Sequence, residues 1–509
     1  MLLHFHLKLP ILFHLRMLLL HPRQENSLRL SRHYTDCYYI QQMKWHMHLL
    51  STHPVHYQHS LNTLNLGYDY RHASTPKRLE RGDGHRQAFV DVDAYLHKGK
   101  ATLWGNAYYV NGSTRNVLYN ETTDLEQLYP YLMADSVGGK TSQEYYYFMG
   151  GFSYPLGKKW TIGAEGEYTA RMEYRTRDPR PKNLTGDLRA KVGVSYLLSG
   201  LHSISAAVTA RKYKQTNELK LYNEVSVPTI YHLTGLGNDY YRFRGVNTST
   251  YYKGYGVGGM LTYSQKDQKG WFAQAEYEYT NIDKIISTLN ELPMATLEST
   301  RFYVTVGYLM NDEHQYYGAN LNGEFYRKDG TENIFGTAQD NIYPLIASAG
   351  LYSSLQDRIG MEAFYQSVYF NKSAWGGKWK LAYMGFSEKY QEPYRRLKHA
   401  AVMTSLLLDG KVKVGKCQLM ANVHGGYEWA INKHNDDSFL SEDKSAMMRP
   451  LIHTNDYFSH DRWNMGVDVE VPLLVACKFL PFVKLSWQYD HYLLTAHQNS
   501  LVVSLGIRF

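Results

Sequence analysis

The sequence lacks the long apolar run that a membrane-spanning helix requires. No stretch of about 18 apolar residues is free of charged side chains, which excludes a transmembrane helix. The mean hydropathy is −0.46, as in a polar protein. Neither fact excludes a membrane, because the strands of a transmembrane β-barrel are only about 10 residues long and alternate apolar with polar side chains.

Cysteine is nearly absent, with only Cys37, Cys417 and Cys477 in 509 residues. Their spacing fits no metal site, and an odd count in so long a chain argues against a disulfide framework. The chain also lacks G-x-S-x-G, H-E-x-x-H, C-x-x-C and phosphate-binding glycine motifs. These absences predict no cofactor and no metal, and they make an enzymatic function the least favoured hypothesis.

Charge of one sign is not concentrated anywhere along the chain. The net charge of +8 arises from 55 basic and 47 acidic residues of scattered position. A nucleic-acid-binding tract would show clustered Lys and Arg. The sequence therefore predicts no nucleic-acid partner.

The abundant residue is tyrosine, with 46 copies against 18 Phe and 9 Trp. Tyrosine favours strands and interfaces that are apolar on one side and wet on the other. From about residue 60 the chain shows a period of two, in long stretches with no clear helical period. Short links rich in Gly and Asp recur, as at 97–100, 155–158, 198–201, 266–270, 408–411 and 476–478.

Longer links alternate with these short ones, at 112–143, 174–183, 214–249, 283–297, 329–343 and 432–460. Alternating short and long links are typical of an outer-membrane barrel, with short periplasmic turns and long extracellular loops. The sequence thus predicts an all-β fold, a transmembrane antiparallel up-and-down β-barrel over 59–509. About 19 strands can be counted, but bacterial single-chain barrels have even numbers. We place the error within 345–376 and predict 18 strands, with 16 or 20 as alternatives.

One face of each predicted strand carries the charges. A basic side chain facing lipid at the midplane costs about 2–4 kcal/mol, so a barrel must turn Arg171, Arg189 and Lys191 toward its lumen. The predicted lumen-facing charges are Asp91, Asp93, Glu165, Glu167, Arg171, Asp187, Arg189, Lys191, Glu276, Glu278, Asp468 and Glu470. Carboxylates two residues apart lie about 7 Å from each other on one face, which suits acid–base chemistry. A polar lumen lined with charges explains Asp91/Asp93, Glu165/Glu167 and Glu276/Glu278 equally simply.

Aromatic residues gather near strand ends, as expected of interfacial girdles: Trp104, Tyr108, Tyr109, Trp160, Trp271, Trp463 and Trp487. The chain ends in a strand pattern, "NSLVVSLGIRF", whose last residue is aromatic. We expect this strand to pair with the first one, near 61–70, so that closure removes both edges. Leu505, Ile507 and Phe509 resemble the C-terminal signal by which outer-membrane barrels are recognised for assembly, which implies the barrel assembly machinery as a partner.

A wider resemblance rests on "STHPVHYQHSLNTLNLGYDYR", "LWGNAYYVNG", the Tyr-rich middle and "EKYQEPYRRLKHA". Over roughly 50–509 the chain resembles an uncharacterised family of Bacteroidetes outer-membrane β-barrel proteins. The resemblance implies a Gram-negative outer membrane and contact with its lipid, but no activity. Residues 1–58 are an atypical leader, signal-like or mis-started, and include five histidines between His46 and His59. About 60 residues before the barrel are too few for a separate plug domain.

The link 214–249 is the most suggestive loop. Tyr240, Tyr241, Arg242, Phe243 and Arg244 form an aromatic and cationic cluster of the type that dominates binding hot spots. A structured loop that covers the barrel is the simpler alternative. The first functional hypothesis is transport, as a channel or an accessory component of nutrient uptake beside a TonB-dependent receptor or surface lipoprotein. The second is a non-transport barrel that anchors or docks a surface partner.

Overall fold

The computed structural model describes residues 60–509, apart from residues 224, 226, 246–248, 266–268, 313–314, 341, 368–373, 415–416, 432–437, 443–444, 446 and 474–478. The predicted leader 1–58, with its histidines and Cys37, lies outside the described residues. So do Cys477 and most of the turns predicted at 266–270 and 476–478.

The chain forms long strands with few helices. The strands are β1 Leu61–Ala73, β2 Gly84–Lys98, β3 Ala101–Val117, β4 Met133–Ala134, β5 Gly139–Leu156, β6 Trp160–Arg175, β7 Arg180–Leu197, β8 His202–Lys220, β9 Tyr231–Gly235, β10 Asn238–Asp239, β11 Thr250–Gln265, β12 Gly270–Ile286, β13 Leu292–Asn311, β14 Gln315–Phe335, β15 Leu345–Ser367, β16 Ala374–Tyr390, β17 Arg395–Val414, β18 Cys417–Ala430, β19 Arg462–Pro472, β20 Leu480–Tyr492 and β21 Ala496–Arg508. The helices are α1 Leu125–Leu128, α2 Ser438–Glu442 and α3 Met448–Ser459, with short 3-10 turns at Leu79–Arg81 and Tyr241–Phe243. Within the described ranges, no helix is both long and apolar enough to cross a membrane.

Eighteen of these strands form one closed antiparallel barrel, and β4, β9 and β10 form a separate three-stranded sheet. Each barrel strand pairs with the next along the chain, and β1 pairs with β21 from Thr63 opposite Arg508 to Ala73 opposite Gln498. Beyond this ladder, Asn62 and Phe509 exchange both backbone hydrogen bonds, at 2.9 and 3.0 Å. The predicted count of 18 and the predicted closure are confirmed.

The extra strand in the sequence count came from one unusually long element. Leu345–Ser367 is a single strand of 23 residues, within the stretch that held the parity error. It pairs along nearly its whole length with β14, through two register shifts near the β14 end, at Gly330/Thr331 and Ile334/Phe335. The hydrogen-bond ladder runs through this stretch without a break, so it counts as one strand.

The outer face of the barrel is apolar around its middle. In register across β5 to β8, Phe152 lies opposite Ala164, Ala164 opposite Val192, and Val192 opposite Val208. Phe152, Val192 and Val208 are 42%, 54% and 60% exposed. A continuous exposed apolar row of this type is unfavourable in water and matches a hydrocarbon layer.

The aromatic residues do not all join that outer surface. Trp160 and Trp271 are exposed, at 48% and 57%. Trp104 is buried and its indole N–H donates to Glu165 Oε2 at 2.9 Å. Tyr108, four residues on, shares its inward face and packs beside Phe89. The girdle assignment of Trp104 and Tyr108 was therefore wrong, because the period of two turns them away from Tyr109.

All of the predicted long links lie at one end of the barrel, and all but the last are shorter than predicted. The observed links are 118–138, 176–179, 221–249, 287–291, 336–344 and 431–461. Strands of 11 to 23 residues exceed the roughly 9–11 needed to span the hydrocarbon layer. The excess extends the barrel wall at the long-link end, into sequence that had appeared to be loop.

Candidate functional site

The link 118–138 turns into the barrel and fills part of its interior. Its residues Leu125, Leu128 and Leu132 are 0–1% exposed. They pack against Tyr213 of β8, Tyr252 of β11 and Ile282 of β12. We name this link the internal segment. Side chains of these three strands that share a face with Tyr213, Tyr252 or Ile282 point into the lumen.

A buried ion cluster holds the internal segment to the wall. Arg175, at the end of β6, contacts the carboxylates of Glu121 and Asp135, the latter at 2.7 Å. All three side chains are at most 2% exposed. Asn183 and Asn217 donate to the Glu121 backbone oxygen at 2.8 and 2.7 Å. We name the triad Arg175, Glu121 and Asp135 the latch.

Wall side chains also satisfy the backbone carbonyls of the internal segment. Lys284 Nζ donates to the Leu132 oxygen at 2.8 Å, and Tyr252 Oη donates to the Tyr131 oxygen at 2.8 Å. Lys328 Nζ donates to the Tyr129 oxygen at 3.0 Å. A buried carbonyl without a partner is costly, so each bond helps to seat a segment that has little secondary structure of its own.

The internal segment reaches across to the opposite wall through Tyr129. Its hydroxyl donates to Glu388 Oε1 of β16 at 2.6 Å. Burial, and then the charge of Glu388, raises the pKa of Tyr129 well above its ordinary value, so the phenol stays protonated and remains a donor. The segment is thus bonded to both β6 and β16, on different sides of the barrel.

Two of the predicted charges, Asp187 of β7 and Glu278 of β12, meet around a residue that was not predicted from the sequence, Arg211 of β8. Arg211 forms two hydrogen bonds with Asp187, at 2.9 and 2.7 Å, and lies 3.7 Å from Glu278. Its Nη2 also donates to Gln127 of the internal segment at 2.5 Å. The alternation that marked Arg189 applies equally to "TARKYKQ" and could have identified Arg211.

Nearer the short turns, Lys191 lies 3.5 Å from Glu165. The predicted residues Glu165, Glu167, Arg189, Lys191, Glu276 and Glu278 together line one small cavity of about 60 Å³. Arg171 instead lies 3.2 Å from Asp124 of the internal segment. Opposite charges therefore alternate around this part of the interior.

The other predicted lumen charges lie apart from this cluster. Asp91 and Asp93 both accept from the Asn106 amide, at 3.0 and 2.9 Å. Asp468 accepts from the Ser486 hydroxyl. Glu470 is buried and bonded to Arg508 at 2.7 Å. Among the described residues, no group of three or more His, Cys, Asp or Glu side chains could hold a metal ion.

The aromatic and cationic cluster of 240–244 is largely engaged within the chain. Phe243 is buried among Ile286, Leu292, Met294 and Phe335. Arg242 Nη1 donates to the Gly336 oxygen at 2.6 Å, Tyr240 Oη donates to the Asn333 oxygen, and Arg244 pairs with Asp239 at 2.6 Å. Tyr241 is 75% exposed. The contacts of the other four side chains match the alternative of a structured loop; the binding role stays a prediction.

The C-terminal residues alternate between the two surfaces. Leu505 and Phe509 are exposed on the outer face, at 61% and 47%, and Ile507 is half-buried between them. The Phe509 ring lies 6.0 Å from that of Phe479. Arg508 points inward and is 2% exposed, over the ring of Phe482. Recognition by an assembly machinery is not visible in this geometry and stays a prediction.

A larger cavity of about 420 Å³ lies between the internal elements and the wall formed by β14 to β19. Its lining includes Tyr129 and Glu126 of the internal segment, Leu236 of the β9–β10 turn and Phe458 of α3. The wall contributes Glu388, His399 and other residues. With Arg78 and Glu80 of the link after β1, four separate links therefore meet the barrel wall around one space.

Cysteine substitutions test which face meets water. Cysteines at Glu165, Lys191 or Glu276 should react with small water-soluble thiol reagents in membranes, because these positions line an inner cavity. Cysteines at the neighbouring Ala164, Val192 or Ala275 should resist, because lipid covers that face. Mass spectrometry gives the modified fraction at each position, and equal modification of the two sets would contradict a lipid-embedded barrel.

Residues 51–509 match a known protein family, described as a Family of unknown function (DUF6850). The chain belongs to this family. The match covers the region over which the sequence resembled a barrel family without established activity, and that part of the expectation is confirmed. Origin from Bacteroidetes stays a prediction. Among curated proteins, none matches this DUF6850 chain.

Solved outer-membrane barrels show a weak similarity to this DUF6850 member. The FrpB iron transporter from Neisseria meningitidis (F5-1 variant) is 7% identical, with 88% of this chain and 82% of that chain covered and a TM-score of 0.41. BauA, the ferric preacinetobactin receptor from Acinetobacter baumannii, is 9% identical, with 88% and 80% covered and a TM-score of 0.39. Similarity at this level carries no information about a solute.

Proposed function

We propose that this protein is a gated outer-membrane barrel that takes part in nutrient uptake, as a channel or as an accessory component. Its own long links close the lumen. The observation that carries the proposal is the internal segment, a link that lies inside the barrel and is held to the wall by buried polar contacts and by the packing of three leucines. The proposal includes no catalytic step.

The width of the barrel supports a passage rather than a solid core. Barrels of 16–18 strands leave an aqueous channel when only side chains line them. In the described part of this chain, the links that enter the lumen come from the long-link end. Toward the short turns the interior is lined by charged and polar side chains such as Glu165 and Lys191, which favour water.

The polar fixation of the internal segment supports gating. Its polar contacts to the wall include the latch, the lysine bonds from Lys284 and Lys328, and the bond from Tyr129 to Glu388, beside the apolar packing of three leucines. Polar contacts of this type form and break as discrete units. A segment held in this way can leave the lumen while the barrel ladder stays intact.

The test removes the internal segment. Val117 pairs with Gly139, so the two strand ends are adjacent and a short Gly-Ser linker can replace residues 118–138. We expect the intact barrel to show little conductance in planar bilayers and the shortened one to show stable, porin-like open channels. Shortening the exposed link 221–229, where Val225 is 96% exposed, is the matched control and should leave the barrel closed.

The alternative, a non-transport barrel that docks a surface partner, has one observation in its favour. Tyr222, Val225 and Tyr241 are exposed at the long-link end, at 63%, 96% and 75%. Exposed aromatic and apolar side chains on a loop suit a protein partner such as a TonB-dependent receptor or a surface lipoprotein. A shortened barrel that conducts no better than the intact one would reject gating and favour docking.

Location in the outer membrane is part of the proposal. The apolar outer face and the closed ladder fit contact with outer-membrane lipid. The long-link end would face the outside and the short turns the periplasm, with insertion by the barrel assembly machinery.

A further inference from the structure

The larger cavity is lined by apolar side chains together with polar and charged ones. Leu236 and Leu397 are 0% and 2% exposed and line it. His399 lies between Phe386 and Phe458, with ring centroids 6.3 and 5.1 Å away. Arg78 and Glu80, which flank the start of the first 3-10 turn, line the same space. A volume of about 420 Å³ falls within the range of small-molecule sites.

Five buried polar atoms of this lining have no hydrogen-bond partner within the described part of the chain. They are Arg78 Nε, Glu80 Oε2, Asn238 Nδ2, His399 Nδ1 and Thr454 Oγ1. Glu80 and His399 are only 8% and 7% exposed. An unpaired buried polar group costs free energy, so several of them converging on one cavity indicate that something else supplies their partners.

The unpaired atoms define what that partner must offer. Arg78 Nε is a donor and requires an acceptor, whereas Glu80 Oε2 is an acceptor and requires a donor. These two residues are two positions apart, and their own ion pair, at 3.4 Å, uses other atoms. An ammonium and carboxylate, or the N–H and C=O of an amide, meet both requirements.

The rest of the ligand must be mainly apolar, with one polar group within reach of His399 Nδ1 and Thr454 Oγ1. Hydroxyl groups placed against Leu236, Leu397 and the Phe386 and Phe458 rings would lose their bonds to water without replacement. A sugar therefore fits this lining poorly. An aliphatic or aromatic side chain fits it well, because the same wall then gains burial of apolar surface.

We propose that this cavity binds an amino acid or short peptide with an apolar side chain. The backbone polar groups of the ligand lie toward Arg78 and Glu80, and its side chain lies toward Leu397, Phe386 and Phe458. The inference rests on the proposed function for its biological meaning, as the solute of uptake. Binding itself does not require transport, so the two can fail separately.

Fluorine NMR of the purified barrel in detergent tests the proposal with three probes: fluorotryptophan, its N-acetyl amide and fluorodeoxyglucose. We expect the signal of at least one tryptophan probe to broaden with the wild-type protein, while the sugar signal stays sharp. Ala401→Phe places a ring in the cavity that Ala401 lines and should abolish broadening. Val402→Phe is the matched control, because Val402 lies between the outward-facing Tyr383 and Trp429 and should leave broadening unchanged.

Glu80→Gln adds no bulk, so it tests the same site if the Ala401→Phe protein fails to fold. Loss of the charged acceptor should weaken the binding of fluorotryptophan about tenfold. Broadening that survives Ala401→Phe, broadening by the sugar alone, or no broadening at all would overturn the proposal. Wild-type binding in a barrel that never conducts would instead uphold this site and reject the transport function.

Discussion

Arg175→Met should open the barrel. The substitution leaves Glu121 and Asp135 buried without their cation, at 0% side-chain exposure. Removing one partner of a buried ion pair costs about 3–5 kcal/mol, because the remaining charge stays uncompensated. The wall cannot relax cheaply, since its strands are joined by a continuous ladder. The internal segment can relax by moving its carboxylates into water.

The expected size of this effect is large. A change of 3 kcal/mol shifts a closed-to-open equilibrium by roughly 100-fold. Planar-bilayer recordings should therefore show frequent openings in Arg175→Met and few in the wild type. A Glu-specific protease should also cut the variant after Glu121, a residue whose side chain is 0% exposed in the closed barrel.

Arg180→Met is the matched control. Arg180 pairs with Asp178 at 2.7 Å, but its side chain is 40% exposed, and exposed pairs contribute about 0–1 kcal/mol. This variant should remain closed. Adding Glu121→Gln and Asp135→Asn to Arg175→Met removes the uncompensated charge and should restore closure in part. If Arg175→Met channels open no more often than wild-type channels in planar bilayers, the latch does not gate the lumen.

Deletion of Phe509 should reduce assembly in cells far more than stability. The deletion removes two backbone hydrogen bonds to Asn62 and one ring that is 47% exposed. Full burial of such a side chain is worth about 1.5–3 kcal/mol, and this one is only partly covered. The ladder from Thr63 to Ala73 against β21 remains. A chain ending at Arg508 should therefore still close when refolded in detergent, as a heat-modifiable band on a gel.

In cells the same chain should be depleted from the outer membrane, if the assembly machinery recognises the terminal aromatic residue. Phe479→Ala is the control, because it removes the ring partner of Phe509 at 6.0 Å and leaves the terminus intact. That variant should reach normal levels. Normal levels of the chain lacking Phe509 would leave Phe509 as an ordinary outer-face aromatic. Failure to close in detergent would give it a structural role in closure.

Much of the barrel wall could be predicted because the direction of a strand side chain is a local property. The pleat alternates faces at every residue, so one charge such as Lys191 in a membrane strand assigns the face of all its neighbours. The same rule applied to Trp104 would have moved it inward, and applied to β8 would have found Arg211. The predicted strands at the long-link end were shorter than the observed ones. There the wall extends beyond the apolar band and its outer face becomes polar as well, so the alternation that marks a strand is lost.

The sequence by itself determined the barrel, its closure through the last strand and the alternation of charged with apolar positions along the strands, because these follow from a period of two and from the cost of charge in lipid. Only the tertiary structure decided which link enters the lumen and which groups hold it there. Arg175 is 54 residues from Glu121, and the large cavity draws on residues from Arg78 to Arg462. A link with no strong period of its own can turn inward or outward. Its direction depends on the side chains of the barrel wall, and these surround the link only after the eighteen strands have closed.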